Sequence, residues 1–274
     1  MITWGLCWCL SQPKTPGFRR HEYAFEHSIE GDGHVLDDTL VFDTQKSTQW
    51  DGLRHFAYQK EQLFYNGTTR EEIVQQKDGS LGIHWWHKAG GIAGRGILVD
   101  YWSYAQETGK HYDPSNTHGI GFEDLMGCLK WQQEQAAGNL EPRVGDILLI
   151  RTGFSSRYQH LSEEEEKAVG EAWPPASCGV QQDKRLLEWL WDNKFAAVGG
   201  DAPGFEVFPA NQDAGFCFHE VLIAGWGCPI AELLWLEDLA EWCRKAKRWT
   251  FFLSSCPLNV YGGVASPANM MALV

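Results

Sequence analysis

The sequence predicts an α/β fold, with mixed sheets and flanking helices. Three observations carry this. Short apolar runs bounded by glycine, proline or charge recur along the chain, as buried strands do. Longer amphipathic stretches with helical spacing lie between them. Some strand-like runs are also neighbours in sequence, which argues for a mixed sheet over a regular parallel βαβ array.

Residues 39–42 alternate in polarity and form the first clear strand. They lead into residues 45–55, so that segment sits at a strand end, where functional loops concentrate. Residues 96–101, 146–151, 196–199 and 249–253 read as buried strands. An amphipathic helix covers residues 122–135. Residues 162–171 open with Ser162 and Glu165, a capping box in which each side chain serves the other residue's backbone N–H. The acidic run 163–166 reads as a solvated helix start favoured by the helix dipole. In residues 182–193, Leu186, Leu187, Leu190 and Trp191 form a buried stripe, and residues 232–247 form a last helix.

A chain of 274 residues with 43% hydrophobic content can bury a sizeable core, and we read one domain over residues 1–274. Residues 1–20 are the least secure part, with the character of a shortened N-terminus. Lysine and arginine number 23 against 36 aspartates and glutamates, and the formal charge of −13 excludes a phosphate-backbone partner. The apolar run 1–10 has no basic residue before it and is too short to span a bilayer, so neither a membrane nor a secretory signal is expected. Eight scattered cysteines without a C-x-x-C pair read as reduced thiols of a cytoplasmic protein.

Chemistry concentrates at Gln45-Lys46-Ser47-Thr48-Gln49-Trp50-Asp51-Gly52-Leu53-Arg54-His55-Phe56. A histidine titrates near neutrality, and a carboxylate close by can fix its tautomer and stabilise its imidazolium; His55 follows Asp51 by four positions. Trp50, Arg54, Tyr58, Phe64 and Tyr65 crowd the same region and suit the walls of a pocket for a planar organic substrate, with the Arg54 guanidinium placed to bind a carboxylate. Most of the 14 tryptophans, including Trp189, Trp191 and Trp249, read as core filling. Gly94-Arg95-Gly96 lacks a Walker lysine, residues 153–156 lack the G-x-S-x-G nucleophile elbow, and His84 with His87 lack a third metal ligand.

The segment resembles the signature of the cyclase family, which includes kynurenine formamidase-like and isatin hydrolase-like enzymes and reads roughly H-x-G-T-H-x-D-x-P-x-H-F. Residues 94–100, 145–154, 200–203, 219–232 and 257–267 are similar to the family's later blocks, in order, and the likeness runs over residues 42–274. Within the family the loop is most similar to a fungal-type branch with S-T-Q-W-D-G-L-R-H. The resemblance implies the swivelling β/β/α cyclase fold. It places Gln45 and Gln49 where the family has metal-ligand histidines, Asp51 at the ligand carboxylate and His55 at the general acid/base. It also implies active-site positions for His219 and Glu232, and a homodimer or homotetramer.

Glutamine offers a neutral amide oxygen, a poor ligand for zinc or manganese, so no cofactor is expected. Each amide can instead give and accept hydrogen bonds to a substrate. The expected catalytic residues are therefore His55, Asp51 and His219, with Gln45, Gln49, Trp50, Arg54, Tyr65 and Glu232 binding substrate. The leading expectation is an enzyme acting at a carbonyl of a small cyclic or aromatic metabolite by metal-independent acid/base catalysis, with a place in secondary metabolism. Alternatives are a Mn- or Zn-dependent amidohydrolase or lactonase that uses Asp51, a glutamine and His219, and a non-catalytic small-molecule-binding relative.

Overall fold

A computed structural model describes residues 1–20, 25–75 and 79–274. Nine strands form one curled mixed sheet in the order Thr3–Gly5, Met270–Leu273, Thr250–Ser255, Ile92–Val99, Ile147–Ile150, Ala197–Gly200, Ile230–Glu232, Gln49–Asp51, Ala265–Pro267. The four central strands, Ile92–Val99 to Ile230–Glu232, run parallel, and the flanking pairs are antiparallel. Their branched apolar residues are buried on both faces, as expected where helices cover a sheet on each side. The four buried strands anticipated from sequence all join this sheet.

The helices Phe122–Gln135, Glu163–Glu171 and Lys184–Asn193 form as anticipated, the second with its Ser162/Glu165 capping box complete. Three details differ. Trp191 is 60% exposed, so the buried stripe of its helix is narrower than its sequence suggests. The last helix is Glu237–Ala246, because Ile230–Glu232 is drawn into the sheet beside Gln49–Asp51. The strand Leu36–Phe42 pairs with Phe25–Gly31 in an exposed hairpin outside the main sheet.

The first residues are integral to the fold: Thr3–Gly5 pairs with Met270–Leu273, and Leu6 and Trp8 are buried. All eight cysteines are free thiols. Among the described residues, no helix is long and apolar enough to cross a membrane.

Buried charge ties the sheet to its helices. Arg151 donates from Nη1 to Asp100 Oδ1 at 2.8 Å, from Nε to Glu237 Oε1 at 3.0 Å and from Nη2 to Glu237 Oε2 at 2.6 Å. Asp201, fully buried, accepts from the Thr152, Gly153 and Ser155 amides and the Thr152 hydroxyl. Burial, reinforced by Glu237, still raises its pKa to about 6.

Candidate active site

Gln49–Asp51 lies between Ile230–Glu232 and Ala265–Pro267, with Gln49 opposite Glu232 and Asp51 opposite Ile230. Side chains alternate across a strand, so Gln49 and Asp51 share one face and Trp50 takes the other. That geometry corrects the expectation of a substrate-facing Trp50. Its ring is fully buried in the core, Nε1 donates to Ser255 Oγ at 2.9 Å, and the edge meets Trp86. The chain then turns sharply at Gly52, where a Cβ would lie 2.5 Å from the Val264 carbonyl oxygen, and His55 N donates back to Gly52 O. This turn swings His55 over Asp51, with Nε2 3.7 Å from Asp51 Oδ2.

His219 reaches the same carboxylate from the far end of the chain. It stands at the start of a π-helical turn, Glu220–Trp226, with Nε2 3.6 Å from Asp51 Oδ2. Glu206 anchors it, accepting from His219 N at 3.3 Å and pairing with Nδ1 at 2.8 Å, while Glu232 Oε1 lies 3.1 Å from Nε2. The His55 and His219 rings are 6.2 Å apart. Gln45 Nε2 donates to Asp51 Oδ1 at 3.0 Å and contacts His55 Nδ1 at 2.7 Å. Gln49 Nε2 donates to Glu232 Oε2 at 2.9 Å, and Gln49 Oε1 accepts from Arg20 Nη1 at 3.4 Å. Arg20 Nη1 also donates to the Gln45 carbonyl at 2.5 Å.

The structure thus gathers Asp51, His55, His219, Gln45, Gln49 and Glu232. Gln49 and Glu232 are buried and committed to each other and to Arg20 and His219, so both hold the cluster in place and neither faces outward. Arg54 and Tyr65 depart from expectation as well. The Arg54 guanidinium donates to the carbonyls of Ser80 and Gly262 and ties two loops together. The Tyr65 ring packs on Gly227, which leaves no room there for a Cβ.

Arg20 and Glu206 escaped the sequence reading. Arg20 lies 25 residues before Gln45 with no motif around it, whereas a lone carboxylate inside Phe205-Glu206-Val207-Phe208 was a usable sign of a buried, paired acid.

The electrostatics split the two histidines. Burial lowers the His55 pKa, opposed by Asp51 but helped by the positive charges of His219 and Arg20. Burial works against charge on His219 too, yet Glu206, with Asp51 and Glu232, outweighs it and holds the pKa well above the ordinary value. At neutral pH His55 is the neutral imidazole and His219 the imidazolium. Burial would raise the Asp51 pKa, but His55, His219 and Arg20 more than offset it and keep the carboxylate ionised. Glu232 is raised, by burial and then by Asp51. Two environments that push paired titratable groups apart are how one site provides both a base and an acid.

Beside the cluster opens a cleft of about 390 Å³ bordered by Phe56, Glu206, Phe208 and Phe216. The Phe56 and Phe208 rings lie 5.1 and 6.5 Å from that of His219, so the cleft borders the titrating groups through aromatic walls.

The loop offers Asp51 and His55, and the fold brings His219 to them. Ligand atoms of Asp51, His55 and His219 lie within 4.8 Å of one another, and Asp51 Oδ2 is buried without a hydrogen bond. One carboxylate and two imidazoles fit zinc or manganese in donor chemistry. This ligand set differs from the Asp51, glutamine and His219 weighed from sequence, with His55 in the place of the glutamine.

The sequence model of a family described as "Putative cyclase" matches residues 6–207. The chain belongs to the cyclase family. The match begins well before residue 42, in keeping with the structural role of the first residues. A solved structure of a novel cyclase is similar over 100% of this chain and 88% of its own, at 26% identity and a TM-score of 0.81. Isatin hydrolase A from Labrenzia aggregata, bound to benzyl benzoate, is similar over 100% and 93%, at 16% identity and a TM-score of 0.65. A predicted metal-dependent hydrolase from Bacillus stearothermophilus is similar over 99% and 97%, at 18% identity and a TM-score of 0.57. The expected cyclase-type fold is therefore the fold of this chain. No curated protein matches it.

Proposed function

We propose that this cyclase-family protein opens or closes a ring at a carbonyl of a small cyclic or aromatic metabolite by metal-independent acid/base catalysis. The observation that carries this reading is the pairing of a neutral His55 with a protonated His219 across one ionised Asp51. The amide of Gln45 contacts His55 Nδ1, which leaves the ring proton on Nε2, facing Asp51. A water that replaces this amide at Nδ1 gives its proton to His55 as its oxygen attacks the carbonyl carbon. Asp51 stabilises the imidazolium, and the positive charges of Arg20 and His219 favour the oxyanion. When the tetrahedral centre collapses, the ring C–N or C–O bond breaks and His55 returns the proton to the leaving atom. Run backwards, the same steps close the ring with loss of water.

Charge balance supports the metal-independent form. His219 and Arg20 already place positive charge beside the carboxylates of Asp51, Glu206 and Glu232. One observation favours a second reading: Asp51 Oδ2 is buried and unpaired beside two imidazoles. A zinc or manganese ion held by Asp51, His55 and His219 would supply an acidified water, as in a metal-dependent amidohydrolase or lactonase. Secondary metabolism, a fungal-type branch and a homodimer or homotetramer complete the proposal on family resemblance alone, and a cytoplasmic location rests on the eight scattered cysteines.

The test is turnover of a panel of cyclic imides, lactams and lactones, isatin among them, followed by ring-opening absorbance across pH. The base must be neutral to work, and its pKa in the fold lies below the ordinary 6.5, so kcat should hold steady from pH 8 down past 6.5 and fall only below it. An acid limb centred above 6.5, or no substrate opened or closed across the panel, would count against the assignment.

A further inference from the structure

A second cavity of about 390 Å³ lies apart from the histidine cluster, lined by Trp8, Gln12, Tyr158, Glu166 and Trp235 among others. Its walls are aromatic and set at steep angles. The Trp8 ring meets Tyr158 at 4.9 Å and 65°, and Trp235 at 5.6 Å and 82°. The rings are fixed from outside: Trp8 N donates to Thr48 Oγ1 at 2.8 Å, and Trp235 donates from its backbone N to Leu6 O and from Nε1 to Asp238 Oδ2.

Two buried polar atoms of this cavity, Trp8 Nε1 and Gln12 Oε1, have no hydrogen-bond partner, while the Tyr158 hydroxyl lies against the Glu166 carboxylate and the Lys14 backbone. Trp8 and Tyr158 are only 8% and 6% exposed. Burial, with the Glu166 carboxylate against it, raises the Tyr158 phenol pKa, and the Lys14 backbone opposes the rise. Buried polar groups are almost always paired, so an unpaired indole N–H and an unpaired amide oxygen in one cavity point to an occupant that pairs them. Gln12 Oε1 and Glu166 Oε2 accept, Trp8 Nε1 donates, and Tyr158 OH does either. Aromatic rings beside a carboxylate are the recognition chemistry of an organic ammonium, whose charge is drawn to ring faces.

We infer that this aromatic cavity binds the ammonium end of a small organic cation that carries an oxygen acceptor near its charge. The ammonium lies against Trp8, Tyr158 and Trp235 and is met by Glu166 and Gln12, while the acceptor takes the Trp8 indole N–H. The site is independent of the His55 cluster.

Calorimetric titration of the full chain with choline, 2-aminoethanol and uncharged 3,3-dimethylbutan-1-ol tests it. At least one cation should bind one to one, and the isostere of choline should bind at least about tenfold more weakly, since it keeps shape and hydroxyl but lacks charge. Glu166→Gln should weaken the cation at least about tenfold while leaving ring-opening turnover unchanged. Trp235→Ala should weaken it as well, and His55→Ala should leave it intact. Absence of binding by both cations, as for a cavity holding only water, would overturn the inference. So would equal binding of the isostere, or unaltered affinity in Glu166→Gln, whose partly exposed position lets that variant fold even where Trp235→Ala does not.

Discussion

His55→Ala should lower kcat/KM by about a hundred- to ten-thousandfold while leaving the fold intact. The ring is partly exposed, at 18% of its side chain, and fills no core position, so its loss should barely move the melting temperature. The loss should fall on kcat, because His55 acts on the moving proton rather than on binding. Added imidazole should restore part of the rate by entering the space left beside Asp51. Turnover within about tenfold of the parent would remove His55 from the mechanism. Asp51→Asn should be similarly inactive yet should not respond to imidazole, which separates the base from the group that orients it.

Arg151→Leu should cost about 3–5 kcal/mol of folding stability, measured by urea denaturation. Arg151 is 6% exposed at its side chain and bridges Asp100, which is fully buried, to Glu237. Removing the cation leaves a carboxylate out of water with only the half-exposed Arg244, its Nε 3.9 Å from Asp100 Oδ2, as counter-charge, and a buried charge so poorly paired is worse than having no pair at all. The double variant Arg151→Leu, Asp100→Asn should recover part of the loss, since the orphaned charge is then gone. A loss below about 1 kcal/mol in the single variant would mean that solvent or Arg244 compensates Asp100 in place of Arg151.

Legibility from sequence followed the range of the interactions. The helices Phe122–Gln135 and Glu163–Glu171 were readable because capping and amphipathic period act within a few residues. Buried central strands were readable as branched apolar runs. Where a tertiary partner decides, local pattern misleads. Glu232 looks like a helix start but pairs with Gln49 across the sheet, and this pairing makes it the group that holds His219. Trp50 sits in the richest motif of the chain, yet strand alternation turns it into the core. The loop gave Asp51, His55 and the two glutamines. His219 came from family resemblance, while Arg20 and Glu206, which set the charge of the cluster, are joined to it only through space.

The glutamines are the pivot. Gln45 contacts Asp51 and His55, and Gln49 holds Glu232, so both amides present N–H to groups that a cation would otherwise meet. Arg20 reinforces them with a fixed positive charge. The cluster has the makings of a charge-balanced acid/base site, and the same three donors would accept an ion.

Metal content and chelator sensitivity decide between these states. Protein purified without chelator should carry far less than one equivalent of manganese or zinc by mass spectrometry, and its ring-opening rate should survive dialysis against EDTA. Stoichiometric metal, with activity lost to EDTA and restored by the ion, would contradict the account and make Asp51, His55 and His219 the ligands of a metal hydrolase.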